Sequence, residues 1–118
     1  MPDLESAVKK QLLKRLKKIP NLYFFTKEAA SLRGIPDIIG CYRGRFFALE
    51  IKRDLWSLYY KRTGKIKIQG RQVLQNLTLT NIRKSGGFGC FIYPQNMDEV
   101  INHLLEGIHY VNPETLEE

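Results

Sequence analysis

Apolar residues at Leu4, Val8, Leu12 and Leu16 recur every four positions, with Lys9, Lys10, Lys14, Lys17 and Lys18 spread around them. That is the period of one helical face, so the pattern predicts a helix that Asp3 caps and that stops before Pro20. Leu22 to Thr26 is a short aromatic run that predicts a strand, and the small and polar residues from Lys27 to Gly34 predict a loop. Two apolar runs follow, Pro36 to Tyr42 and Arg45 to Lys52, and Arg43-Gly44 between them predicts a tight hairpin. Arg53 to Ile68 is ambiguous: Tyr59 to Ile68 reads either as a second hairpin turning at Thr63-Gly64 or as an irregular basic loop. Gln69 to Lys84 predicts a helix, weakened by Thr78 and Thr80 and ended by Gly86-Gly87. Cys90 to Tyr93 predicts the last strand. Asn96 to Glu106, apolar at Met97, Val100, Ile101, Leu104 and Leu105, predicts a closing helix before an acidic tail. The order is αβββαβα, an α/β domain spanning residues 1–118, with no internal repeat or linker.

A hairpin centred on Arg43-Gly44 pairs residues whose numbers add to 87, so Tyr42 faces Arg45, Ile39 faces Ala48 and Asp37 faces Glu50. Strand alternation puts Asp37, Ile39, Cys41, Phe46, Ala48, Glu50 and Lys52 on one face and Ile38, Gly40, Phe47, Leu49 and Ile51 on the other. Both faces are mostly apolar, which predicts central strands covered on both sides, with the three charges gathered at one end. Like charges directly opposed on a sheet are unfavourable, and burial raises the cost, so a cation is expected to offset them. Carboxylate oxygens favour hard divalent ions, Mg²⁺ or Mn²⁺. Lys52 beside such an ion could orient or help deprotonate a water, or stabilise charge on a phosphate. Taken singly, an Asp at a strand start and a Glu-x-Lys at a strand end are ordinary surface features; together in this register they describe a site for phosphodiester hydrolysis.

Composition narrows the class. The chain has 118 residues, 43% hydrophobic and 26% charged, which suits one folded domain. No stretch is long and apolar enough for a membrane span, and the charged start does not resemble a signal peptide. Cys41 and Cys90 lack CxxC spacing, so neither a disulfide framework nor a zinc site is expected and a reducing, cytoplasmic setting fits. The net charge of +7 is unevenly placed. Residues 43–84 carry eleven Lys/Arg against Glu50 and Asp54, whereas residues 85–118 carry six acids and no Lys or Arg. A basic block interleaved with Tyr42, Trp56, Tyr59 and Tyr60 suggests a nucleic-acid partner; a solvated basic face is the alternative.

The run Gly34-Ile35-Pro36-Asp37-Ile38-Ile39-Gly40, a short turn, then Phe47-Ala48-Leu49-Glu50-Ile51-Lys52 resembles the PD-(D/E)XK nuclease signature. With Glu5 in the first helix and Gln72 opening the later one, the chain is most similar to the small stand-alone VRR-NUC nucleases of phages and prophages, relatives of Holliday junction resolvases. The similarity runs from about Glu5 to Val100. It implies a restriction-endonuclease-like αβββαβ core, a central mixed sheet flanked by helices. It implies that Asp37, Glu50, the Ile51 carbonyl and Glu5 hold Mg²⁺, with Mn²⁺ able to substitute, that Lys52 is the catalytic lysine, and that Gln72 lies near the phosphate. It also implies a homodimer acting on DNA, branched DNA foremost, inside the host cell if the chain is phage-encoded. Candidate DNA contacts are Ser31 and Arg33 before the signature, and Arg53, Lys61, Arg62, Lys65, Lys67 and Arg71 after it.

The segment between Lys52 and Gln69 is longer, more aromatic and more basic than in minimal members of that family, and suits either a DNA-gripping hairpin or a dimer contact. The rival from another class is a catalytically silent nucleic-acid-binding module on the same fold. A sequence-specific restriction enzyme is disfavoured because so short a chain leaves little room for base-reading elements.

Overall fold

The computed structural model describes residues 4–27, 34–62, 65–68 and 70–116, with the side chains at 61, 62, 65–67 and 71 outside that description. Helix α1 (Leu4–Lys17) follows the four-residue spacing, burying Val8, Leu12 and Leu16. Strand β1 (Leu22–Thr26) leads into β2 (Ile38–Tyr42) and β3 (Arg45–Ile51). Arg43 and Gly44 both have positive φ, 51° and 79°. That matches a two-residue turn whose twist suits a hairpin. A single turn, α2 (Leu55–Leu58), is capped by Asp54, whose carboxylate accepts the Ser57 N–H at 2.9 Å. Strands β4 (Tyr59–Arg62) and β5 (Lys65–Ile68) follow, then a 3₁₀ turn (Gly70–Gln72), α3 (Val73–Lys84), β6 (Phe88–Ile92), α4 (Met97–Glu106) and β7 (Thr115–Leu116).

The main sheet has the order β1-β2-β3-β6, antiparallel across the first three strands and parallel between β3 and β6. The β2/β3 pairs from Ile38↔Leu49 to Tyr42↔Arg45 carry the register expected from the turn. On one face Ile38, Phe47, Leu49, Ile51, Phe88, Cys90 and Ile92 pack against α1 and α4 in the larger core. On the other, Ala48 and Phe91 pack with Leu79 of α3 and with Leu58 and Tyr59. No helix among the described residues is long and apolar enough to cross a membrane.

One open reading is decided and three expectations change. Arg53 to Ile68 contains α2 and then an antiparallel hairpin in which Tyr59 pairs with Ile68 and Arg62 with Lys65. The acidic tail is not all tail: β7 adds to β5, forming a second three-stranded sheet. The last strand of the main sheet starts at Phe88 instead of Cys90. A Cβ on Gly89 would sit 3.1 Å from the Leu79 carbonyl oxygen, so glycine there serves the close crossing of α3 over β6, not a turn. The hairpin strands are covered on both sides only where β3 meets β6. Cys41 is exposed, and Tyr23, Phe25 and Phe46 are 70%, 54% and 45% exposed, because α3 lies over β6 and β3 and leaves the β1–β2 half of that face open.

Gly40 is the tightest backbone crossing. A Cβ there would overlap the Tyr23 carbonyl oxygen and come within 2.5 Å of the Phe47 ring, whereas one on Gly70 would meet nothing within 4 Å. Gly40→Ala is therefore expected to cost about 3 kcal/mol or more, and Gly70→Ala less than about 0.5 kcal/mol. Urea unfolding midpoints of the two variants check this; similar values for both would contradict it.

Candidate active site

The site begins with the turn into β2. Gly34 takes φ 80°, a left-handed conformation that glycine adopts without strain, and the buried Pro36 disfavours helical backbone at Ile35 before it, so the chain enters β2 extended. The Asp37 carbonyl accepts the Lys27 N–H at 2.9 Å, extending the β1/β2 ladder by one step. One residue beyond the Ile38↔Leu49 pair, the same register brings Asp37 opposite Glu50. Asp37 Oδ2 accepts the Ile51 N–H at 2.8 Å, and the Glu50 carboxyl is hydrogen-bonded to that of Asp37.

Glu50 is 7% exposed. Burial and then the Asp37 charge push its pKa up from 4.5 to about 8, against the opposing pull of Lys52 and Lys27. Without a cation Glu50 thus keeps its proton at neutral pH, hydrogen-bonded to the Asp37 carboxyl. Lys52, also buried, donates from Nζ to Gln72 Oε1 at 2.5 Å and to Gln75 Oε1 at 2.9 Å, and stands 5.6 Å from the centre of the Phe91 ring. Gln75 Nε2 donates to Glu50 Oε1 at 3.4 Å, so one amide touches both the lysine and the carboxyl. Gln72 occupies the cap position of α3 without capping it, because its side chain is turned to Lys52.

Asp37 and the Ile51 backbone also border a cavity of about 220 Å³ with Glu5, Ser6 and Lys9 of α1. Among the described residues no three His, Cys, Asp or Glu side chains converge. The oxygen donors at hand are the Asp37 and Glu50 carboxylates and the Ile51 carbonyl, with Glu5 on the cavity wall. An all-oxygen set suits a hard divalent ion, and a buried Glu50 kept protonated beside the Asp37 carboxyl is an arrangement that such an ion relieves. The residues present fit Mg²⁺ or Mn²⁺.

The structure brings Asp37, Glu50, Lys52 and Gln72 together and puts Glu5 on the wall of the cavity that Asp37 and Ile51 also line. Two neighbours escaped sequence reasoning. Gln75 lies one helical turn after Gln72, so i, i+3 spacing is the signal that shares their face. Lys27, with Nζ 3.9 Å from Asp37 Oδ1, follows from the ladder arithmetic that pairs Thr26 with Ile38. Arg53 bonds its own neighbour Asp54 at 3.2 Å. Ser31 and Arg33 lie outside the described residues. Lys61, Arg62, Lys65 and Lys67 are on β4 and β5, and Arg71 is in the 3₁₀ turn beside Gln72.

The raised Glu50 pKa has a signed consequence. The folded state holds a proton that the unfolded chain gives up near pH 4.5, so metal-free stability falls as pH rises from about 4.5 to about 8 and then levels. Asp37→Asn keeps an oxygen for the Ile51 N–H and removes one charge. That variant should melt at or above wild type at pH 8 without metal, show a flatter pH dependence and gain less from Mn²⁺. Thermal melts from pH 5 to 9 check it; a variant destabilised without metal and still stabilised by Mn²⁺ would make Asp37 purely structural.

No family model matches the sequence, and no curated protein matches it significantly. Among solved structures, one described as a VRR_NUC domain superposes with a TM-score of 0.60 at 20% sequence identity, covering 86% of this chain and 98% of the other. The α1-β1-β2-β3 start, the mixed sheet and the flanking helices are thus the fold of a VRR_NUC domain.

Proposed function

We propose that this chain is a metal-dependent DNA endonuclease that hydrolyses phosphodiester bonds, selective for branched DNA such as Holliday junctions and active as a homodimer. The observation that carries this reading is the contact of the Asp37 carboxyl with the buried Glu50 carboxyl, with Lys52 beside it, on a VRR_NUC fold. Asp37, Glu50, the Ile51 carbonyl and Glu5 would hold Mg²⁺, with Mn²⁺ able to substitute. The ion supplies Lewis acidity at a phosphate oxygen and offsets charge built up in the transition state. Lys52, steadied by Gln72 and Gln75, presents an ammonium next to that oxygen set, suited to hold a phosphate oxygen or to orient the attacking water. Gln75 ties Lys52 to Glu50, so the lysine is positioned relative to the metal-holding carboxylates. A preference for branched DNA and a dimeric state follow from the similarity to small VRR-NUC nucleases.

Binding is assigned to the basic hairpin. Register puts positions 60, 62, 65 and 67 on one face, while Tyr59, Ile68 and Leu116 on the other join the core. Positions 62, 65 and 67, all Lys or Arg, thereby share one face of the ladder, which is the basis for assigning phosphate contacts to it.

Labelled junction, flap, single-stranded and duplex DNA incubated with Mg²⁺ or with chelator test the reading. Junction cleavage is expected with Mg²⁺ and not with chelator. Asp37→Asn, Glu50→Gln and Lys52→Ala should each cut orders of magnitude more slowly while binding DNA within a few fold of wild type, because they act on the transition state. No cleavage of any substrate with Mg²⁺ or Mn²⁺ would leave a binding module. Replacing Lys65 and Lys67 by Gln should weaken binding and flatten its log–log salt slope by roughly one unit for each phosphate that is no longer neutralised. An unchanged slope would remove the hairpin from the DNA interface.

A further inference from the structure

The part of the main sheet that α3 leaves bare is apolar, aromatic and uncharged. Tyr23 on β1 pairs with Cys41 on β2, which pairs with Phe46 on β3, so the three lie in one row across the sheet; Phe25, two positions along β1, lies on the same face. Tyr23 is 70% exposed, Phe25 54% and Phe46 45%. Beside them runs a groove of about 380 Å³ between Phe46 and the Thr78, Asn81 and Ile82 side of α3. Leu74, one turn before Thr78, and Leu77, one turn before Asn81, extend that side of the helix and are 64% and 53% exposed. Segments 22–26, 38–42 and 73–82 contain no charged residue, in a chain that is 26% charged.

We infer that this bare face is where a second copy of the chain docks, an inference that rests on the dimeric reading above and gives it a surface. The first argument is charge. Nucleic-acid surfaces are rich in Lys and Arg, whereas the centres of protein interfaces are depleted in charge and enriched in aromatic residues. Two copies at +7 each repel wherever their basic surfaces meet, so an uncharged face is where they can approach closely. The second is area. At roughly 200 Å² per aromatic side chain, the exposed fractions of Tyr23, Phe25 and Phe46 amount to about 340 Å². Leu74, Leu77 and the groove walls bring the face toward the roughly 800 Å² per partner of a stable interface. The third is the edge. β1 is the outer strand of its sheet, and its sequence has no charge, proline or glycine of the kind that blunts an edge against pairing. A two-fold axis on such a surface matches the patch with itself, and Cys41 falls within it. The same sheet face carries Asp37 and Glu50 at its far end, so both carboxyl pairs would belong to one particle.

Light scattering coupled to size exclusion and thiol labelling test this without DNA or metal, so their outcome is independent of whether the protein cuts DNA. Wild type should be a dimer at micromolar concentration, and Tyr23→Glu and Leu77→Glu, both at exposed positions, should each raise the dimer dissociation constant at least tenfold with unchanged far-UV circular dichroism. Cys90 is buried, so Cys41 is the thiol that reports. Its alkylation should slow several-fold as wild type is concentrated, and should not slow in Tyr23→Glu. A monomeric wild type, a dimer indifferent to both substitutions, or Cys41 labelled equally fast at all concentrations would overturn the inference. If wild type is monomeric and the same substitutions weaken single-stranded DNA binding, the rings stack on bases instead.

Discussion

Two carboxyl groups in contact at the open end of a β-hairpin, Glu50 buried and Asp37 half-buried, are the constraint around which this structure is organised. Neither can be moved without slipping the register, because a one-residue slip would send Glu50 to the opposite face. The register is held by the Arg43-Gly44 turn at one end and by the Ile51 N–H bond to Asp37 at the other. Between them, Gly40 allows the Tyr23 carbonyl and the Phe47 ring to come close. The repulsion is answered in layers: a proton kept on Glu50, Lys27 on the β1 side, and Lys52 under two glutamine amides on the α3 side. A divalent cation would replace the proton and do so more completely.

The rest of the fold serves that pair unequally. α1 and α4 close one face into a continuous apolar core, giving the strands a rigid backing. On the other face α3 brings Gln72 and Gln75 to Lys52, while Leu58, Tyr59 and Ile68 tie the basic hairpin to the sheet. Charge is sorted accordingly. The carboxylates stand where β2 begins and β3 ends, and strands β1 and β2 themselves carry no charged residue.

Much of this is legible in the sequence. The β2/β3 register, and with it the meeting of Asp37 and Glu50, follows from one turn and from counting. The first and last helices follow from their apolar spacing, although helix ends and strand starts differ by a residue or two. What is not legible has physical reasons. The four residues of α2 and the two of β7 are too short to show a period. Nothing local to Gly89 shows that its lack of a side chain answers a helix crossing. Apolar residues on both faces of β2 and β3 suggest cover on both sides, yet that pattern cannot say over which strands a helix will lie. Gln75 is easily passed over because Gln72 already satisfies the motif, although the two share a helix face.

The central claim is that the Asp37/Glu50 pair exchanges the Glu50 proton for a divalent cation. Calorimetric titration of Mn²⁺ into the DNA-free protein at pH 7, repeated in buffers of different ionisation enthalpy, counts the protons released. The account predicts about one proton released per Mn²⁺ bound in wild type and fewer in Asp37→Asn, where Glu50 loses its charged neighbour but keeps the larger effect of burial. Binding with no proton release in wild type, or identical release in the variant, would contradict it.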